Sequence, residues 1–313
     1  MTSYFIRRIL RVFLTLFFAL TLIFMAARVL PGDPAEALLG QYMSAEGLAT
    51  LRQQMGLDLP VWKQYLNYFC GLFKGDLGDS LVLGKPAAEM IFEVVPYTLI
   101  VVAGGLLIGS LLGIPLGIFS AVKKNTAIDY IGRVVSLFGI SLPGFAIGIL
   151  LMILFSIKLG WFPIAGGGDL SNIGSLLQYG FLPAVAGGLG MASYLTRISR
   201  TAMLEVLNED YIRTAKAKGV KQVAVISKHA LRNSLISVVS VIGIYAIVMV
   251  GDSIAIEIAF SRPGFGRLIF GAITQRDYFL IQAIIFVYVI FATLINLLTD
   301  LLYAIIDPRI SYK

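Results

Sequence analysis

Six apolar blocks divide the chain: an opening run from Ile9 to Ala27, then about 96–122, 134–157, 179–196, 235–257 and 278–304. A bilayer core demands roughly 20 apolar residues in helical form, with tilt absorbing the excess, so each block predicts a membrane-spanning helix. Gly105, Gly109, Gly113 and Gly117 recur at every fourth position. Such a stripe lets another backbone approach one helix face; it predicts a tight helix contact and says nothing of a substrate. Pro143-Gly144, Pro183 and Gly187-Gly188 predict kinks or loosened turns in the third and fourth spans, because proline removes a backbone donor and glycine adds freedom.

The polar stretches between the blocks set the orientation. From Arg197 to Arg232, eight basic side chains stand against Glu205, Glu209 and Asp210, so this connection supplies five of the chain's seven net positive charges. Excess Lys and Arg stay on the cytoplasmic side. Residues 123–133, with Lys123, Lys124 and Arg133, read as inside, and 158–178, with only Lys158, as outside. Residues 29–95 carry four basic against eight acidic side chains and read as an extracytoplasmic insertion. Within it Ser44 predicts a cap for a helix bearing Leu48, Leu51 and Met55 before Gly56, and Pro60 opens another with Trp62, Tyr65, Leu66 and Phe69. These helices are expected to pack on the membrane surface or on the spans.

Arg7, Arg8 and Arg11 precede the apolar run from Val12 to Ala27 in the order of a signal peptide, but with Ile9 and Leu10 the run is long enough to span and no clear small-x-small cleavage site precedes Pro31. It reads as an uncleaved first helix with its N-terminus inside. With the C-terminal segment from Asp307 also inside, the self-consistent fold is all-α and polytopic, with six spans and both termini cytoplasmic. The expected organisation is 1–28 as the first span, 29–95 as the outer insertion, and 96–313 as the core with a cytoplasmic connection at 197–234.

Within that connection a short helix is bounded on both sides. Asn208 predicts its N-cap, Glu209 and Asp210 its first turn, Lys216 and Lys218 its last, and Gly219 its stop. Met203, Leu207, Tyr211 and Ala215 fall on one face, and Glu209 to Arg213 is ordered for an i,i+4 pair. Such a helix lies on anionic headgroups or docks into a cytosolic partner, and amphipathicity alone does not choose.

Composition closes off other classes. The chain is 58% hydrophobic and 14% charged with a mean hydropathy of +0.86, a membrane-protein balance. One cysteine, Cys70, excludes an internal disulfide, and with one histidine, His229, it cannot build a Cys/His metal site. The spans offer no cluster of acids, bases and nucleophiles for catalysis. Asp252 is the exception, five residues before Glu257. An aspartate near a helix centre costs about 2.5–3.5 kcal/mol to insert. It either lines a translocation path and favours a cationic group such as a peptide amino terminus, with Glu257 nearby, or sits hydrated at the outer headgroups. Two phosphate-loop lookalikes fail. Gly78 to Gly84-Lys85 has the wrong spacing and Pro86 where a hydroxyl must hold magnesium, and Gly264-Phe265-Gly266 meets Ile269 where a third glycine belongs. The chain is therefore expected to bind no ATP and no other cofactor.

The run Asp210-Tyr211-Ile212-Arg213-Thr214-Ala215-Lys216-Ala217-Lys218-Gly219, followed by His229-Ala230-Leu231-Arg232-Asn233, resembles the cytoplasmic loop of binding-protein-dependent ABC importer permeases of the dipeptide, oligopeptide and nickel group. Against the general pattern of Glu-Ala-Ala, three residues, Gly, nine residues and Ile-x-Leu-Pro, only Ala215, Gly219 and Leu231 agree, and the departures are those of this subgroup. Pro31-Gly32-Asp33-Pro34, Gly75-Asp76-Leu77-Gly78, Pro263-Gly264-Phe265-Gly266-Arg267, Arg276-Asp277-Tyr278, Asn296 to Tyr303 and Asp307-Pro308-Arg309 are similar to the group in the same order, so the likeness covers nearly the whole chain. In that group the phrase before Glu257 reads Gly-Gly-Ser, so Asp252 replaces a usual glycine.

The resemblance implies a type I ABC importer permease fold in the bacterial cytoplasmic (inner) membrane. It implies a second homologous permease subunit, two ATP-binding subunits holding ATP and magnesium, and an extracytoplasmic solute-binding protein; no nucleic-acid partner is expected. Asn208, Glu209, Asp210, Tyr211, Arg213, Thr214, Ala215, Lys216, Ala217 and Gly219 would form the coupling helix that enters a groove on an ATP-binding subunit. Di- or oligopeptides are the expected cargo, with nickel, a metal chelate or glutathione as alternatives. A self-contained carrier, in which 197–232 only binds lipid, is the competing class.

Overall fold

The computed structural model describes residues 2–29, 35, 45–80 and 82–306. Its elements are α1 (Thr2–Val29), α2 (Ala45–Gln54), α3 (Val61–Phe73), the two-residue strands β1 (Asp79–Ser80) and β2 (Lys85–Pro86), α4 (Ala87–Val122), α5 (Ala127–Ser141), α6 (Gly144–Leu151), α7 (Ile173–Leu207), α8 (Asp210–Ala217), α9 (Leu231–Ala259), α10 (Phe265–Thr274) and α11 (Tyr278–Ile306). π-Helical turns follow α6 at Met152–Lys158 and precede α9 at Val225–Ala230. The antiparallel β1–β2 pair is the one departure from an all-helical chain among the described residues.

The chain divides into two compact units, Met1–Val95 with Arg267–Thr293, and Pro96–Gly266 with Leu294–Lys313. In the first, α3 lies on α1. Phe24 is fully buried, with its ring 5.2 Å from Tyr65 and 5.8 Å from Tyr68, and Thr21 Oγ1 shares a 2.7 Å hydrogen bond with the Tyr65 hydroxyl. The helix opened by Pro60 thus packs on a hydrophobic helix, while Trp62, Leu66 and Phe73 stay exposed. In the same unit Ser80 Oγ donates to Asp277 at 2.5 Å, and Asp277 accepts from the Leu280 amide at 3.1 Å, capping α11. The expected cap at Ser44 and the phrases at 31–34 and 307–309 lie outside the described residues.

The second unit is built on the glycine stripe. An added Cβ would come 2.5 Å from the Ala192 carbonyl at Gly113 and 2.5 Å from the Thr196 carbonyl at Gly117, while at Gly105 it would meet Met249 of α9 at 2.8 Å. α4 and α7 therefore meet backbone to backbone. Gly188 answers from the other side, its missing Cβ 3.0 Å from the Gly105 carbonyl, so Gly187-Gly188 serves close packing rather than loosening. Pro183 is likewise buried inside a continuous 35-residue helix.

Pro143 does break its span. Leu142 is extended (φ −98°, ψ 127°), as the residue before proline prefers, and α5 and the helix from Gly144 to Lys158 meet at 101°. The expected kink in the span at 134–157 is thus a full break into two helices, the first beginning at Ala127 inside the supposed connection.

Among the described residues, length and apolarity qualify three helices as membrane-spanning, α4 and the Ser237–Ala259 and Tyr278–Thr299 stretches, or four if the bent pair is one span. α7 falls short despite its length because glycines, hydroxyl residues and Gln178 dilute its apolar content. Ser193, Thr196 and Ser199 are buried, and Thr196 Oγ1 bonds the Ala192 carbonyl at 2.7 Å. The apolar part of α1, Val12–Ala26, is also shorter than a span.

Gly113→Val should destabilise the α4–α7 contact by about 1–3 kcal/mol, seen as a lower melting temperature in detergent. Gly271→Ala, where an added Cβ meets nothing within 4 Å, should leave it unchanged.

Candidate coupling site

An eight-residue helix does not hold itself together in water, and α8 is held by what it packs on. Ile212 is fully buried in a cluster with Ala121 of α4, Met203 of α7, and Val225 and Ala230 of the π-helical turn; Ala215 packs at its edge. The face expected from four-residue spacing is corrected here. Met203 and Leu207 belong to α7, and the turn at 208–209 resets the helical phase, so Ile212 takes the inner position while Tyr211 is exposed. Asn208 closes α7, its amide bonding the Glu205 carbonyl and the Glu209 amide that of Val206, and extended Glu209 (φ −67°, ψ 148°) precedes α8 without a side-chain cap bond. The expected N-cap is therefore a C-cap, because α7 runs on to Leu207.

Two further contacts shape the helix. The Asn233 side-chain amide donates to the Tyr211 hydroxyl at 2.6 Å, tying α8 to the start of α9. Arg213 sits 3.7 Å from Asp210 instead of pairing with Glu209, a solvent-exposed pair worth little. Gly219 ends the helix at φ +77°, with its amide on the Lys216 carbonyl and the Val220 amide on that of Ala215, the left-handed reversal glycine favours. Glu209, Asp210, Tyr211, Arg213, Thr214, Lys216, Ala217 and Lys218 all present exposed side chains. The result is a polar rod seated on one apolar pin.

Asp252 and Glu257 occupy opposite environments. Asp252 is exposed on α9, whereas Glu257 is fully buried. Glu257 accepts from Thr98 Oγ1 at 2.6 Å and from the Gly266 amide at 2.7 Å, and Thr98 Oγ1 in turn accepts from the Phe265 amide at 2.8 Å. A Cβ at Gly264 or Gly266 would collide with the Glu257 carboxylate. The Pro263-Gly264-Phe265-Gly266 phrase is thus a loop wrapped around the Glu257 carboxylate, which ties it to Thr98 of α4. Arg262, also fully buried, stands over the Tyr97 ring at 5.4 Å; burial lowers its pKa and the Glu257 charge raises it.

Residues 1–99 match the family described as binding-protein-dependent transport system membrane component, N-terminal, and residues 113–312 match the binding-protein-dependent transport system inner membrane component. The chain belongs to this family of ABC importer permeases. Glutathione transport system permease proteins GsiC from Salmonella typhimurium strain LT2 and Escherichia coli K12 are 39% and 38% identical over 313 residues, covering all of both chains. An inward-facing methionine ABC transporter MetNI shares the fold with a TM-score of 0.58 at 17% identity, covering 70% of this chain and 97% of that one. The permease is a non-catalytic, multi-pass inner-membrane component of an importer that works with an ATPase and a binding protein.

Sequence reading missed one element of the permease. Asp129 has no exposed side-chain surface and is gripped by Arg200 of α7, Nε to Oδ1 at 2.6 Å and Nη2 to Oδ2 at 2.9 Å, with Arg133 at 3.3 Å and the Asn125 amide at 2.9 Å. The i,i+4 spacing of Asp129 and Arg133 was visible in the chain; a partner 71 residues away was not.

Thr98→Val leaves a buried acceptor and a buried backbone donor without their shared partner. It should cost about 1–3 kcal/mol and lower the melting temperature of the purified permease, while Asp252→Asn leaves that temperature unchanged.

Proposed function

We propose that this permease forms half of the translocation path of an ATP-driven importer whose cargo is glutathione or a closely similar short peptide. The observation that carries the reading is full-length similarity, without gaps in coverage, to permeases named for glutathione transport. That observation favours glutathione over the general di- or oligopeptide cargo the sequence motifs imply. Six spans with both termini inside, the type I fold, and the division into 1–28, 29–95 and 96–313 complete the reading. A second homologous permease stands beside it, and two ATP-binding subunits hold ATP and magnesium, with none bound by this chain.

Mechanically, α8 is the coupling element. Its exposed face from Glu209 to Lys218 enters a groove on an ATP-binding subunit, and Ile212 transmits the displacement to α4 and α7 through their shared cluster. A rigid helix seated on one buried side chain moves the ends of two long helices together, which is what alternating access between inward and outward states requires. Asp252, exposed on α9, is the acid placed to meet the cargo's ammonium group.

In the assembled transporter reconstituted in vesicles, deleting 208–219 should abolish both co-purification of the ATPase and ATP-driven uptake of labelled glutathione. Uptake by the lone chain under an ion gradient would overturn the importer reading, and competition by simple dipeptides but not by glutathione would overturn the cargo. Asp252→Asn should raise the KM for uptake about fivefold, the size of one lost exposed charge contact; an unchanged KM for cargoes of several charges would remove its role.

A further inference from the structure

A groove of about 190 Å³ opens between α5 and α7, lined by Arg133, Arg197, Arg200, Thr201, Leu137 and Ile140 among others. Arg133, Arg197 and Arg200 line it together, and Asp129, bonded through both oxygens to Arg200, also accepts from Arg133 at 3.3 Å. Two of the three are held in place by rings. Arg133 stands 4.4 Å from the Tyr130 centroid and Arg197 5.4 Å from that of Tyr194, geometry that orients a cation and limits its rotamers. Arg197 has no ion-pair partner among the described residues.

The other wall is apolar. Leu137 is 68% exposed and Ile140 43%, and the exposed surface continues along α5 through Val134 and Phe138. A fixed positive rim beside an apolar slope matches a molecule with a phosphate at one end and hydrocarbon at the other. Inorganic phosphate gains nothing from Leu137 or Ile140. Because Arg197 opens the most basic connection of the chain, the groove sits at the cytoplasmic surface, where basic pockets between membrane helices take anionic headgroups.

We propose that this groove is a binding site for an anionic phospholipid of the phosphatidylglycerol class, its phosphate held between Arg133 and Arg197 and an acyl chain laid on Leu137 and Ile140. The lipid would bridge α5 and α7 beside the Asp129–Arg200 pair. The site is independent of the cargo.

The test uses the assembled transporter, stripped of lipid in detergent and titrated with phosphatidylglycerol or phosphatidylethanolamine under native mass spectrometry. Wild type should retain one more phosphatidylglycerol than the Arg133→Gln/Arg197→Gln double variant. That variant's affinity should fall about 30-fold, at roughly fivefold per arginine, with phosphatidylethanolamine binding equal in both. Arg133→Lys/Arg197→Lys should recover most of the binding. Leu137→Glu, which repels the same ligand from an exposed position, should reproduce the loss without touching either arginine and serves if the double variant does not assemble. Equal phosphatidylglycerol retention by wild type and variants would overturn the proposal. So would displacement by millimolar inorganic phosphate, which would make the site one for free anions, or a cross-link from Leu137→Cys to the second permease subunit, which would make the groove a subunit contact.

Discussion

The contact of α4 with α7 through Gly113 and Gly117 is the constraint on which the rest of the larger unit depends. Lipid offers no hydrophobic gain for pressing two apolar helices together, so close approach must come from small residues that let backbones touch. With its middle fixed in this way, α4 presents Thr98 at one end, where it binds the Glu257 carboxylate and the Phe265 amide, and Ala121 at the other, beneath Ile212. One continuous helix thus serves the loop after α9 and the seat of α8, and the glycines fix where its two ends are.

Asp129, Glu257 and Asp252, three of the acids in this unit, show how charge is used where water is scarce. Asp129 and Glu257 are fully buried, and each is surrounded by donors: guanidinium groups and an amide for one, a hydroxyl and an amide for the other. A buried charge is tolerated when paired or hydrogen-bonded throughout, and such groups hold elements in register. Asp252 is exposed instead and makes no comparable set of bonds among the described residues. Like side chains thus meet opposite surroundings in the same unit.

α8 extends the same logic to the aqueous side. Nearly every side chain it shows is polar; Ile212 alone is fully buried, with Ala215 at the cluster's edge. A helix so short cannot rely on its own backbone bonds, so its orientation belongs to the cluster below it and to the Asn233–Tyr211 bond. Its one fully buried side chain thus ties it to α4 and α7.

Much of this was determined by the chain itself. Apolar block length, the basic stretch at 197–232, the glycine spacing, the stop at Gly219 and the break at Pro143 are local or periodic properties, and each acts through a few neighbouring residues. What needed the tertiary structure involved partners distant in sequence. Nothing local distinguishes Glu257 wrapped by Gly264 and Gly266 from an acid on a path, or joins Asp129 to Arg200 across 71 residues. The inner position of α8 passed from Tyr211 to Ile212 because α7 continued to Leu207 and the turn at Asn208 shifted the phase. The membrane's demand for satisfied polar groups is general; which distant side chain satisfies each one is decided only when the helices pack.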